Sequence, residues 1–255
     1  YNCTVSYVDR PRFFQECMYL LLCGCGTGFS VQKHHIKKLP KVIPRDKGKK
    51  VFAIQDTIEG WADAIGVLMS SYFVGDKAFY SHDFGCETDC YSGYEVEFDA
   101  SAIRPKGSPI SWGGIAPGPD GLMNSLNKIK NQMDGVVANG PTKLSPIDAY
   151  DVIMHSSDAV LSGGIRRSAT ICLFSPDDKE MVNAKTGNWF ETNPQRGRSN
   201  NSALLIRDET SKEQFAELMS SVKEFGEPGF IWAEDKEALY NPCAEIGMRA
   251  YTDDG

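Results

Sequence analysis

Near the end of the chain, Asn241-Pro242-Cys243-Ala244-Glu245-Ile246 sets an amide, a thiol and a carboxyl at alternate positions. In an extended segment alternate side chains point the same way, so all three polar tips can face one small volume. Pro242 has a fixed φ and no N–H, which favours a loop or sheet edge over a central strand. A thiol beside an acid and a neutral hydrogen-bonding amide suits redox or radical chemistry on a hydroxylated substrate. The plainer alternative is a buried connection whose cysteine serves as a small hydrophobe.

Other groups could carry chemistry too. Cysteines stand at 3, 17, 23, 25, 86, 90, 172 and 243. In a chain of 255 residues that is not a disulfide scaffold, and a reducing compartment with one or two working thiols is expected. Cys23 and Cys25 are spaced too tightly for zinc. His82, Cys86 and Cys90 form H-x3-C-x3-C in a loop rich in glycine and aspartate, but no fourth ligand is evident. His34 and His35 are adjacent and would face apart in a strand, making a poor metal pair; no metal site is expected. Two turns carry arginines: Ser162-Gly163-Gly164-Ile165-Arg166-Arg167-Ser168-Ala169 and Arg196-Gly197-Arg198-Ser199-Asn200-Asn201-Ser202. Guanidinium forks suit phosphate or carboxylate. A locally basic turn in an acidic chain points to a bound anion, with a solvated turn as the alternative. Residues 33–50 are basic and hold two prolines; a solvated loop is expected there.

These groups need elements to hold them. Asn2 to Val8 reads as a strand, and 13–22 as an apolar helical run. Cys23 to Val31 is a glycine-rich turn entering a strand, where missing side chains allow close backbone approach. Asp56-Thr57-Ile58-Glu59 looks like a capping box opening a helix with Trp61, Ile65, Leu68, Met69 and Tyr72 on its core stripe. Tyr94, Val96 and Phe98 alternate as a half-buried strand. Ile103 to Pro119 is loop. Leu122, Leu126, Ile129 and Met133 mark the next helix, and Ser145-Pro146-Ile147-Asp148 starts another that runs to about Leu161. Strands follow at Thr170 to Phe174, Ala203 to Ile206 and Phe230 to Trp232, with a helix capped by Ser211 between the last two. Strands alternating with helices imply a parallel sheet of α/β type. The formal charge of −7 and pI near 5.2 argue against a surface that coats nucleic acid polymers. No apolar run reaches the roughly 18 residues of a membrane span, and a cytoplasmic location is expected. The chain opens at Tyr1 without an initiator Met and stops at Gly255, soon after its most reactive motif, so a piece of a longer protein is expected.

Taken together, the stretches resemble the catalytic chain of ribonucleotide reductase along nearly the whole sequence. The likeness rests on Asn2-Cys3, Gly26-Thr27-Gly28-Phe29-Ser30-Val31, Ile103-Arg104-Pro105 with Gly113-Gly114, Gly164-Ile165-Arg166-Arg167-Ser168-Ala169, Ser199-Asn200-Asn201-Ser202, Gly226-Glu227-Pro228-Gly229 and Asn241-Pro242-Cys243-Ala244-Glu245-Ile246. The wording of the arginine and asparagine motifs is most similar to the adenosylcobalamin-dependent (class II) branch, especially its monomeric triphosphate reductases.

The resemblance implies a ten-stranded α/β barrel of two parallel five-stranded halves with a central finger loop. Residues 1–255 would be a partial barrel domain, truncated at both ends: the first parallel half, with the finger loop at its C-terminal end. Cys243 would be the thiyl-radical cysteine that removes the ribose 3′ hydrogen. Glu245 would be the base on the 3′ hydroxyl, and Asn241 the amide bonded to Glu245 and the ribose hydroxyls. Cys3 would be one of two thiols that reduce the 2′ carbon and end as a disulfide. Gly163, Gly164, Arg166, Arg167 and Ser168 would link a specificity effector to the substrate base, and Asn2, Gly26 and Gly28 would bind substrate. The implied cofactor is adenosylcobalamin, and the implied partners are a ribonucleotide substrate, deoxynucleotide or ATP effectors and a thioredoxin-like reductant. No cysteine follows Cys243, so the second reducing thiol and the C-terminal shuttle cysteines would lie elsewhere, and these residues would be inactive alone. The alternatives are a class I large subunit fed by a radical-generating partner, a non-catalytic nucleotide-binding module that clamps phosphate at 164–167 and 196–198, and a small zinc-stabilised domain.

Overall fold

The computed structural model describes residues 2–75, 91–110, 114–162 and 169–249. In chain order its elements are β1 (Cys3–Tyr7), α1 (Phe13–Leu22), β2 (Gly26–Ser30), α2 (Lys33–Ile36), β3 (Lys49–Ala53), α3 (Ile58–Tyr72) and β4 (Glu95–Asp99). Then follow α4 (Asp120–Val136), α5 (Pro146–Ser162), β5 (Thr170–Phe174), α6 (Lys179–Val182), α7 (Trp189–Thr192), a 3-10 turn (Pro194–Arg198) and β6 (Ser199–Ile206). The described chain ends with α8 (Lys212–Phe225), β7 (Gly229–Ala233), β8 (Ala238–Tyr240) and β9 (Gly247–Arg249).

Five strands form one sheet in the order β1-β2-β5-β6-β7, and every pairing in it is parallel. The α/β expectation holds. The segments β3 and β4 pair in parallel as a separate ribbon, and β8 and β9 form an antiparallel hairpin.

The two faces of the main sheet are covered differently. On one, Phe29, Cys172, Phe174, Ala203 and Leu205 join the apolar stripes of α1, α3, α4 and α5 in the principal core. On the other, a small cluster of Tyr7, Ile171 and Leu173 closes around Leu239 of β8, with Val5, Ile231 and Tyr240 at its edge. Burying Leu239, which is fully enclosed, contributes roughly 1.5–3 kcal/mol. That is a large share of what anchors a three-residue strand.

The hairpin's approach can be followed contact by contact. Gln32 Nε2 donates to Lys236 O at 2.8 Å and Tyr7 Oη to Glu237 O at 2.6 Å, at the C-terminal ends of β2 and β1. Tyr240 O then lies over Gly28, in mid-strand, and the Pro242 ring over Gly26, where β2 begins. The segment 236–242 therefore descends one face of the sheet antiparallel to its strands.

Three local expectations need correction. The first turn of α3 is capped by Thr57, whose hydroxyl accepts from Gly60 N at 2.9 Å; Asp56 instead pairs with Arg104. Within the basic stretch 33–50, α2 and the start of β3 are ordered elements, because Lys49 bonds Glu97 across the ribbon at 2.8 Å. The strand β6 begins at Ser199 rather than Ala203, since Ser199 Oγ donates to Asn201 Oδ1 at 2.6 Å and so allows polar residues inside.

A Cβ on Gly28 would sit inside the van der Waals envelope of the Tyr240 carbonyl, a backbone atom that cannot rotate aside. Gly28→Ala should lower stability by about 1–3 kcal/mol in urea unfolding and speed amide hydrogen exchange at Leu239 and Tyr240. Unchanged stability and unchanged exchange would contradict this packing.

Candidate functional site

The loop between β8 and β9 carries the reactive motif at its tip. It is a tight turn, not an extended run, so the alternation argument for Asn241, Cys243 and Glu245 does not apply. Asn241 anchors it: its backbone O accepts from Ala244 N at 2.8 Å, and its Oδ1 accepts from Ile246 N at 3.0 Å. Ala244 takes φ 60°, the left-handed region, which costs a non-glycine residue roughly 1–2 kcal/mol. The turn thereby swings Cys243 outward while Asn241 stays buried.

Asn241 is 2% exposed, yet its Nδ2 has no hydrogen-bond partner. An unpaired buried amide costs about 1–3 kcal/mol. Such an unmet buried donor calls for an explanation, and among the described residues none supplies its acceptor. Cys243 and Glu245 are exposed, and among the described residues Glu245 makes no hydrogen bond or ion pair. The expected bond between Asn241 and Glu245 is not formed; the amide oxygen is taken by Ile246 N instead.

The other sulfur lies on the same side. Cys3, at the start of β1, is opposite Gly26 in register. The position a Cβ would take on Gly26 is 3.3 Å from Cys3 Sγ and 3.1 Å from Pro242 Cγ. Cys3 and the ring preceding Cys243 thus meet over a single glycine. Asn200, exposed at the start of β6, reaches the same loop with Nδ2 at 3.5 Å from Pro242 O. Sequence reasoning quoted Asn200 in a motif but gave it no place in the site; its neighbourhood with Pro242 depends on strand order. Asn2 contributes its backbone O, which accepts from Gly26 N at 2.8 Å. Gly26 and Gly28 act as floor for the hairpin.

The remaining cysteines sort by environment. Cys17 and Cys172 are fully buried; burial pushes the Cys17 thiol up to about 12 and the Cys172 thiol well above its ordinary value. Both are packing residues. Cys23 is exposed and Cys25 half-buried.

The anion reading of 196–198 fails at Arg196. Arg196 forks onto Asp151 of α5, with Nε to Oδ1 at 2.8 Å and Nη2 to Oδ2 at 2.6 Å, and gives Nη1 to Ala184 O. Arg198 bonds Asp158 at 2.8 Å. These guanidiniums tie the turn before β6 to α5, and the Arg196 fork is fully engaged by Asp151 and Ala184. The stretch Gly163, Gly164, Arg166, Arg167 and Ser168, the H-x3-C-x3-C group at His82, Cys86 and Cys90, and Gly113 all lie outside the described residues.

No protein-family model matches the chain. It is 26% identical over 277 residues to the adenosylcobalamin-dependent ribonucleoside-triphosphate reductase of Lactobacillus delbrueckii subsp. bulgaricus, covering 89% of this chain and 35% of the relative. It is 28% identical over 235 residues to the enzyme of that name from Euglena gracilis, covering 91% and 28%. A crystal structure of a B12-dependent (class II) ribonucleotide reductase superposes with a TM-score of 0.72 at 21% identity, over 92% of this chain and 36% of the other. The chain resembles part of an adenosylcobalamin-dependent ribonucleotide reductase. It spans about a third of the length of these reductases, and the fold likeness extends over 92% of this chain.

Exposure and protonation together order the thiols. In the native protein at mild alkaline pH, iodoacetamide should modify Cys243 and Cys23 readily and leave Cys17 and Cys172 intact until denaturant is added. Peptide mass spectrometry reads this directly, and native modification of Cys17 would contradict the burial described.

Proposed function

We propose that this chain is part of an enzyme that reduces ribonucleotides, in keeping with its relatives' name ribonucleoside triphosphates, to 2′-deoxyribonucleotides by a thiyl-radical mechanism. One observation carries the reading: the hairpin sets Cys243 next to Pro242, which packs against the same glycine as Cys3. A sugar at the tip would then have a sulfur towards each side. In this reading the five-stranded sheet is the first half of a ten-stranded barrel, residues 1–255 are part of that barrel domain, and the β8–β9 hairpin is its finger loop.

The chemistry assigns work to each group. The Cys243 sulfur, as a thiyl, exchanges a hydrogen atom with the ribose 3′ carbon. Glu245 accepts the 3′ hydroxyl proton, a role its free carboxylate permits. The unpaired Asn241 Nδ2 donates to a ribose hydroxyl and holds the sugar in place. Cys3 and a second thiol outside these residues supply two electrons and two protons; the 2′ hydroxyl leaves as water and the thiols become a disulfide. A thioredoxin-like reductant restores them. The stretch Gly163 to Ala169, which includes Gly164, Arg166, Arg167 and Ser168, is proposed to relay a deoxynucleotide or ATP effector to the substrate base, with Arg166 as its working side chain.

Adenosylcobalamin, when bound, supplies the one-electron chemistry that converts the Cys243 thiol to a thiyl. What fits it among the described residues is that thiol, free and exposed at the hairpin tip. No described residue is assigned to holding the corrin. The cofactor name comes from the relatives, and it sets the proposal apart from a class I large subunit.

The full-length protein tests the reading. Cys243→Ser should abolish deoxynucleotide formation while ribonucleotide binding stays within about twofold, and the unaltered protein should turn over with adenosylcobalamin and no second subunit. Reduction that survives the substitution, or that strictly requires a second subunit, would overturn the assignment.

A further inference from the structure

At the root of the hairpin, three side chains meet that the proposed reaction does not use. His34 and His35 stand in α2, which follows β2, and Glu237 precedes β8. Expected to face apart in a strand, the two histidines instead sit in a short helical turn, with ring centroids 3.9 Å apart. His34 Nε2 is 2.7 Å from Glu237 Oε1, and His35 Nε2 is 2.9 Å from Oε2. One ligand atom from each residue lies within 4.8 Å of the others. We propose that His34, His35 and Glu237 bind a divalent transition-metal ion of the zinc type, which clamps the root of the hairpin to the end of β2.

The donor set is two imidazoles and a carboxylate, a combination that suits zinc with an open fourth position. His34 and Glu237 keep 38% and 33% of their side-chain surface, so water can enter as that fourth ligand. His35 and Glu237 are held from behind. His35 is fully enclosed and stacks on Tyr7 at 4.2 Å between ring centroids. Its Nδ1 lies 2.9 Å from Ser30 Oγ, an atom that already accepts from Gln32 Nε2 at 3.1 Å and from Gln32 N at 3.3 Å. With both lone pairs of the Ser30 hydroxyl engaged, its O–H donates to His35 Nδ1; a metal on Nε2 requires the ring proton to move to Nδ1 and the hydroxyl to turn and accept it, the outward N–H contact that orients imidazoles at metal sites. Glu237 is fixed at both backbone ends: its N donates to Asp235 Oδ1 at 2.7 Å, and its O accepts from Tyr7 Oη at 2.6 Å. The nearby cation Lys38 lies towards Asp9, 3.8 Å away.

Zinc bonds of about 2.0–2.1 Å set tetrahedral donors about 3.3 Å apart, so the 2.7 and 2.9 Å histidine–carboxylate contacts must open slightly while the wider donor pairs, up to 4.8 Å, must close. The exposed His34 ring can rotate to supply that closure. The ion would take the place of the Nε2–H bridges to the carboxylate, each neutral imidazole then carrying its proton on Nδ1. Its consequence would be mechanical, since Glu237 begins the segment that carries Cys243 across the sheet.

The test uses the full chain, freed of metal by chelator and titrated with Zn²⁺ against a chromophoric competitor, alongside His34→Ala and Glu237→Gln. A parallel Co²⁺ titration reports ligand type, because thiolate ligands add an intense charge-transfer band and imidazole and carboxylate do not. The expected result is one site without the thiolate band whose affinity falls about tenfold or more in His34→Ala. His34 is partly exposed, so this variant should keep its circular dichroism and can decide the matter even if Glu237→Gln misfolds. Zinc affinity unchanged in a folded His34→Ala, or binding seen only through thiolates, would overturn the site.

Discussion

Gly28 has no side chain, and the carbonyl of Tyr240 occupies the place where one would begin. That close approach is what the rest of the arrangement depends on. A returning strand can cross the face of a parallel sheet only where the sheet presents a flat track, and β2, with Gly26 and Gly28 on that face, provides it. Leu239 then drops into the Tyr7–Ile171–Leu173 cluster, Pro242 settles on Gly26, and the tip emerges beside Cys3. Replace the track with ordinary side chains and Cys243 loses its position relative to Cys3, whatever the motif around it.

The root and the tip of the hairpin are built differently. Its root is rigid, pinned by Tyr7, Gln32 and the pair of histidines. Its tip holds a left-handed alanine and an amide with an unpaired donor. Local penalties of this kind persist when the surrounding structure imposes them and tend to gather at functional sites. The apolar core on the opposite face of the sheet carries most of the buried surface, so the tip can bear such penalties without unfolding the domain.

Much of this was legible in the sequence. The long helices announced themselves by apolar spacing, and β1, β5 and β7 by their β-branched and aromatic runs. The alternation of the two gave the parallel sheet. What escaped had a physical reason in each case. The strands β8 and β9 are too short to show alternation. Polar Asn200 and Asn201 hid the start of β6, because their partners become visible only once strands are paired. Arg196 and Arg198 looked like anion ligands because nothing local reveals Asp151 and Asp158 on the helix beside them. The motif Asn241 to Ile246 was found for its residue types, while its geometry was misjudged: a positive φ at alanine cannot be read from composition. His34 and His35 would diverge in a strand; their convergence needs the α2 turn and Glu237, a distant residue in sequence.

The central claim is that Cys3 and Cys243 flank one small space. The most direct measurement is cross-linking of the full-length native protein with a short bifunctional thiol reagent, followed by peptide mapping. The account predicts a Cys3–Cys243 link as the principal product, suppressed when a ribonucleotide fills the space between them. Cys243 found linked only to other cysteines, with Cys3 unmodified or modified singly, would contradict it.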